Sequence, residues 1–420
     1  MTDDLYPMIS VEEAQQRILS YVHPLPAEDI ALADALDRVL AQDVVSTFNI
    51  PPHDNTAMDG YAVIAADTAG ASADRPRQLR VIFDLAAGHT TNQRVTPGAA
   101  IRIMTGAPMP AGADAIVPFE ETDESNHLVG QSRTVVNVYK AAKPAANVRS
   151  AGEDIRHGEL VLRKGTLLRP AEVGVLASLG LARVSVIRRP LVAILATGDE
   201  LVEPGQVLAP GQIYNSNNYG LAAAVQRAGG VPLVLGVARD RIDDITARIH
   251  AAIEAKADFL LTSAGVSVGE FDLVKKVLAK EGEISFWRVR MKPGKPLAFG
   301  RIGRMPHLGL PGNPVSSLLS FELLARPAIL TMQGKTRLHR PQVQAVFDDE
   351  LRSKDDRRHY LRVIVERRDA EYHARLSGEQ GSGILTSMAR ANGLAIVSEN
   401  ARGAQRGERL PVIMLDWPEQ

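Results

Sequence analysis

The 420-residue sequence predicts a multidomain α/β plus β protein. At its centre is a three-layer α/β domain with a mostly parallel sheet. A helical N-terminal domain with an inserted β-rich domain precedes it, and a β-rich domain closes the chain. Three observations predict this. From Arg189 to Met332 apolar strands alternate with helical periods, the mark of βαβ units. Residues 78–140 instead alternate short apolar runs with Gly/Pro turns. After Lys335 strands recur without a strong helix.

Ser10 opens the first helix. Ser10 and Glu13 make a capping box, and Val11, Ala14, Ile18, Leu19 and Val22 share a face. LADALDRVL (32–40) predicts a second short helix, and the chain turns loop-rich from Ser46. RPAEVGVLASLG (169–180) has proline in its first turn and ends at glycine. It is expected to pack beside the N-terminal helices.

In the α/β domain PLVAILATG reads as a buried strand. Ser216 caps a helix bearing Leu221, Val225 and Ala228, and VPLVLGVA is the next strand. Ile242, Ile245, Ile249 and Ile253 mark a second helix. DFLLTS is a strand, and Phe271, Val274 and Leu278 mark a third helix. ISFWRVRM and a helix from Val315 follow, and Pro327 should end or kink that helix. QGKTRLHRP (333–341) reads as a linker. The expected domains are 1–47 with 150–186, 48–149 as the insertion, 187–332, and 337–420.

Lys plus Arg number 48 against 49 Asp plus Glu, so no global field recruits nucleic acid or membrane. Any anion site must be local. There is no cysteine, which excludes disulfides, thiolate nucleophiles and cysteine–metal sites. The acidic start MTDDLYPMIS lacks an apolar run of signal length, and no run of about 18 apolar residues predicts a membrane span. A soluble cytoplasmic protein is expected.

Three glycine loops stand between Thr262 and Ser317: TSAGVSVGEFD (262–272), MKPGKPLAF (291–299) and GLPGNPVSS (309–317). Backbone N–H groups at such loops suit anions. Ligands of α/β sheets bind beyond the carboxyl ends of the strands. Those ends carry Thr197, Gly198, Asp199 and Glu200; Thr262, Ser263, Gly265, Gly269, Glu270 and Asp272; and Pro311, Gly312, Asn313 and Pro314. Glycine and aspartate also make plain turns and caps, but three such ends together favour a site. Arg288, Arg290 and Lys292 would line one face of a strand running into Lys295, as a phosphate or oxyanion clamp. A solvated edge strand is the plainer alternative. The acids Asp199, Glu200, Asp240, Glu270 and Asp272 near phosphate sites suggest Mg²⁺. No G-x-x-x-x-G-K-[ST] occurs, which excludes a P-loop NTPase. Earlier in the chain, Asp59-Gly60 reads on its own as a hairpin turn. Thr105 and Asp154 lie in turn-rich polar segments, where they are candidate ligand contacts.

Taken in order, DNTAMDGYAV, IRIMTGAPMP, AGEDI, ATGDEL, TSAGVSVGEFD, FWRVRMKPGKP and GLPGNPVSS resemble the molybdopterin molybdenumtransferase family. This is the MoeA type, to which the C-terminal domain of gephyrin is also similar. GSGILTSMARANGL (381–394) extends the likeness into the tail. The resemblance implies an enzyme that inserts molybdate into adenylylated molybdopterin and releases AMP, with Mg²⁺ assisting. It further implies a homodimer with an intersubunit cleft, a MogA-like α/β domain and a C-terminal β-barrel. The molybdopterin adenylyltransferase is an implied partner.

Carried over by position, the functional acids are Asp59, Asp154, Glu200, Asp240 and Asp272, with Lys292. Thr105, Thr197, Gly198, Ser263, Gly265, Gly269, Glu270, Arg288, Lys295, Pro311, Gly312, Asn313 and Pro314 would bind substrate, and Glu200 and Asp272 would hold Mg²⁺. Arg288 stands where many members have Lys, and Ala264 replaces a usual Gly. The competing readings are a molybdopterin adenylyltransferase, which is essentially the α/β domain alone, and a non-catalytic gephyrin-like scaffold. A preference for tungstate over molybdate is left open.

Overall fold

The computed structural model describes residues 8–124, 133–263, 282–353, 355–399 and 401–417. By contacts the chain forms two units: Met1–Ile30, Asp37–Ala41 and Ser185–Gln420, and Ala31–Leu36 with Gln42–Val184.

The first unit is built on a seven-stranded sheet. Its order is Met8–Ile9, Gly282–Val289, Pro296–Ile302, Met305–Leu310, Phe259–Ser263, Leu191–Thr197, Val231–Ala238. The pairings are parallel except on either side of Pro296–Ile302, so the sheet is mostly parallel as expected. Alternate residues of one strand feed opposite layers. Val192 and Ile194 join Leu221, Val225 and Ile329, whereas Ala193 and Leu195 join Ile245 and Ile249. Helices therefore cover both faces, which is why these strands read as near-continuous apolar runs.

Helix Val11–Leu19 starts where predicted, with Ser10 Oγ accepting from Glu13 N–H at 3.0 Å. Two local expectations are corrected. The cap of helix Ser216–Arg227 is Asn215, whose side chain accepts from Asn218 N–H, rather than Ser216. Residues 32–40 form only the 3₁₀ turn Leu32–Asp34, because Asp37 takes φ 62° and breaks any continuing helix. The helix predicted from Phe271 to Leu278 lies outside the described residues.

The helical run Pro314–Met332 does not end at Pro327. A π-turn, Phe321–Ala325, precedes Arg326–Met332 and accommodates the proline's missing N–H. This 19-residue run is long and apolar enough to cross a membrane by length and composition alone, and Glu322 and Arg326 interrupt it. It is 78% buried inside the protein, as a core helix is.

The tail forms a closed five-stranded barrel in the order Arg358–Arg368, Glu371–Leu376, Gln342–Phe347, Arg409–Met414, Gly393–Val397 and back to the first strand. One short helix, Leu385–Arg390, is added to the strands expected there.

The second unit carries a five-stranded sheet in the order Ala115–Pro118, Gly60–Val63, Ala99–Ile103, Arg77–Leu85, Val135–Val138. Asp59-Gly60 is not a hairpin turn. Gly60 enters an interior strand and pairs with both Ile103 and Pro118. A Cβ at Gly60 would stand 2.1 Å from the Val117 carbonyl oxygen, so the close approach requires glycine.

Candidate functional site

Because four strands of the large sheet run parallel, their carboxyl ends share one edge. Thr197 and Ser263 are buried there, and the Ser263 hydroxyl has no hydrogen-bond partner among the described residues. Gly198 has φ +145°, and a Cβ on it would meet Glu200 Oε2 at 2.5 Å. Only glycine lets the Glu200 carboxylate fold back over the strand end.

Asp240 N–H donates to Asp199 Oδ1 at 3.3 Å. Burial first, then the Asp199 and Glu200 carboxylates, raise the pKa of Asp240. This all-oxygen, mutually repelling set suits a hard cation such as Mg²⁺ better than zinc. Among the described residues no three metal-type ligands converge on one point. Gly265, Gly269, Glu270 and Asp272 lie outside the described residues.

A cleft of about 640 Å³ opens in front of this edge. Glu200, Asn217, Pro311, Gly312, Asn313 and Ser316 line one wall. Lys292, Gly294 and Lys295 line another, and the barrel contributes Arg357, Gln380, Gly381 and Ser382.

The proline loop is held from two sides. Asn217 Nδ2 donates to Gly312 O at 2.7 Å, and Val315 N–H donates to Ser382 O at 3.1 Å. Pro314, the first residue of the following helix, needs no hydrogen bond there.

The expected row of Arg288, Arg290 and Lys292 is broken. The strand ends at Val289, and Met291–Lys292 instead pairs with Arg358–His359 of the barrel. Burial of Trp287, Val289 and Met291 sets the alternation, but the change of sheet leaves only Lys292 of the three on the cleft.

Lys292 Nζ lies 3.4 Å from Asp355 Oδ2, and Arg357 Nε donates to Asp355 Oδ1 at 2.7 Å. The Arg357 hydrogen bond above all holds the Asp355 carboxyl well below the usual carboxylate range. An internal anion thus already bridges two cleft cations, and an incoming oxyanion would compete with it.

Asn217, Arg357, Gln380 and Ser382 were missed by sequence reasoning. Three of them come from the barrel, and the charged run DDRR reads as a solvated face. The segment GSGILTSMARANGL (381–394), noted for its likeness to the family, is the signal that could have led here.

In the second unit Asp59 Oδ1 accepts from Thr105 N–H at 2.6 Å and from Thr105 Oγ1 at 2.7 Å. Two residues 46 apart therefore form one polar group. Asp154 is exposed, on a turn tied back to the same segment by Asp154 N–H donating to Ile50 O and Ala151 N–H to Asp54 Oδ1.

Three family descriptions match successive parts of the chain. They are the MoeA N-terminal region (domain I and II) over residues 9–180, a probable molybdopterin binding domain over 193–331, and the MoeA C-terminal region (domain IV) over 344–415. The chain is 37% identical to molybdopterin molybdenumtransferase 2 of Mycobacterium tuberculosis, covering 96% of this chain and 99% of that one. It is 34% identical to the molybdopterin molybdenumtransferase of Bacillus subtilis, covering 98% and 96%. A crystal structure of the molybdopterin biosynthesis MoeA protein of Pyrococcus horikoshii superposes with a TM-score of 0.82 at 32% identity, covering 98% of this chain and 100% of that one.

Proposed function

The chain belongs to the MoeA family of molybdopterin molybdenumtransferases, and on that premise we propose that it inserts molybdate into adenylylated molybdopterin with release of AMP. The observation that carries this reading is the cleft in which Lys292, Lys295 and Arg357 face Glu200 and the proline loop.

The bond to be broken is a phosphoanhydride. Its cleavage needs charge neutralisation more than a covalent nucleophile, and lysine and arginine side chains supply it. Molybdate is a dianion, suited to the same cations. The sulfurs that receive molybdenum belong to the pterin, so a chain without cysteine can carry out the reaction.

In this reading Lys292, Lys295 and Arg357 hold phosphate or molybdate oxygens, with Arg288 adding positive charge behind them. Pro311, Gly312, Asn313 and Pro314 shape the pocket wall. Thr197, Gly198 and Ser263 at the strand ends would also bind substrate, as would Gly265, Gly269 and Glu270. Glu200 and Asp272 would hold Mg²⁺, with Asp240 close by. Bound there, Mg²⁺ would neutralise charge on the pyrophosphate. Asp59, Thr105 and Asp154 would complete the cleft from a second copy of the chain, as the family resemblance implies.

A division at 48–149, 187–332 and 337–420 belongs to the same proposal, whereas residues 8–19, expected with 150–186, join the sheet and core of the 187–332 domain. The family matches at 9–180, 193–331 and 344–415 support it. A cytoplasmic location and the molybdopterin adenylyltransferase as supplier of substrate belong to the same proposal. The adenylyltransferase and scaffold readings are not favoured, because the molybdenumtransferase relatives match essentially the whole chain.

The test is to mix purified protein with adenylylated molybdopterin and Mg²⁺ and to follow AMP with and without molybdate. Molybdate-dependent AMP release is expected. ATP consumption with pyrophosphate release, when molybdopterin and ATP are supplied instead, and no molybdate-dependent AMP release would select the adenylyltransferase.

A further inference from the structure

Arg362 is 1% exposed, the largest of the fully buried side chains. No carboxylate among the described residues pairs with it, and burial pushes its pKa down to about 10. Its guanidinium is spent on one loop and the short helix that follows it. Nε donates to Ser387 Oγ at 3.1 Å, and Nη2 donates to Glu379 O at 3.1 Å and Gly381 O at 3.0 Å. The backbone of the same residue holds the loop too. Arg362 N–H donates to Gln380 Oε1 at 2.9 Å, and Arg362 O accepts from Gln380 Nε2 and Ser377 Oγ.

A buried cation without an anion costs stability that an apolar residue would not. What this one does is fix Gln380, Gly381 and Ser382, the barrel's contribution to the cleft. Ser382 O in turn accepts from Val315 N–H, so the hold extends to the proline loop.

We propose that Arg362 is a positioning residue for the molybdate-insertion site: it presents Gln380–Ser382 to the cleft and, through Ser382, sets the proline loop against them. This rests on the reaction proposed above. Arg362 itself touches the loop and not the substrate.

The test compares Arg362→Gln, Arg362→Lys and Ser387→Ala with the wild type. In Arg362→Gln the KM for molybdate should rise about tenfold with kcat within about twofold, the signature of weakened binding in a folded enzyme. Arg362→Lys, which keeps the charge but has one donor nitrogen in place of the two that bond here, should fall between. Amide exchange should quicken at residues 378–387 and at Val315, with the barrel strands unchanged. Ser387→Ala removes one partner and leaves the charge, and should show the same pattern more weakly even where Arg362→Gln does not fold. A lowered melting temperature with molybdate KM and exchange of that loop unchanged would overturn the proposal. A wild type without molybdate-dependent AMP release would refute the reaction, while the exchange pattern would still decide the positioning.

Discussion

Asp59 and Gly198 are the single residues at which the proposed chemistry is most open to test. Asp59 is half-buried, and its Oδ1 takes both donors of Thr105. Asparagine can still accept those bonds, whereas alanine cannot. If the charge matters, Asp59→Asn should keep its melting temperature yet lose turnover by about 100-fold, the scale of one lost electrostatic contact. Asp59→Ala should lose turnover and also free the Thr105 loop, visible as faster amide exchange there. At Gly198, alanine would meet the Glu200 carboxylate in a backbone conformation unfavourable to L side chains. Gly198→Ala should cost ~1–3 kcal/mol, read by denaturant unfolding, and should displace Glu200 from the cleft.

At the scale of elements, burial explains what was legible. The parallel strands, the helix capped by Ser10 and the strand-rich tail each rest on local periodicity, and all three are present. The failures share a cause. Asp59-Gly60 looks like a turn because the sequence does not show the strands on either side of Gly60. The row from Arg288 to Lys292 looked continuous because nothing local marks the change of partner after Val289. Pro327, expected to end or kink its helix, does not end it, because the π-turn Phe321–Ala325 absorbs the missing N–H.

Two predictions belong here. Gly60→Ala should destabilise the second unit by roughly 3 kcal/mol or more, since its neighbour is rigid backbone, and its unfolding transition should shift while that of the first unit holds. His307, fully buried on strand Met305–Leu310, sits with Nε2 3.0 Å from Thr262 Oγ1, and burial lowers its pKa to about 3. The unfolded chain takes up a proton near the ordinary histidine value, and the folded chain does not. Its contribution is therefore intact above about pH 6.5 and lost as pH falls toward 3. Unfolding free energy measured from pH 7 to 4.5 should fall less steeply in His307→Asn than in the wild type.

For the whole molecule, the residues proposed for the site are distributed over two units. The cations and the proline loop stand on the first, and Asp59 with Thr105 stands on the second. Sequence motifs named residues of both halves but missed the barrel's share, Arg357 and Gln380–Ser382, because only the folded tail brings them to the cleft. The central claim is that a working site takes the Lys292 cleft from one subunit and Asp59 from another. Its most direct measurement is molybdate-dependent AMP release by dimers reassembled from Asp59→Asn and Lys292→Ala subunits. Each variant alone should be nearly inactive. Random mixing leaves one intact cleft in half of the dimers, so activity should return to about a quarter of the wild-type rate. Verified mixed dimers no more active than either parent, beside an active wild type, would contradict it.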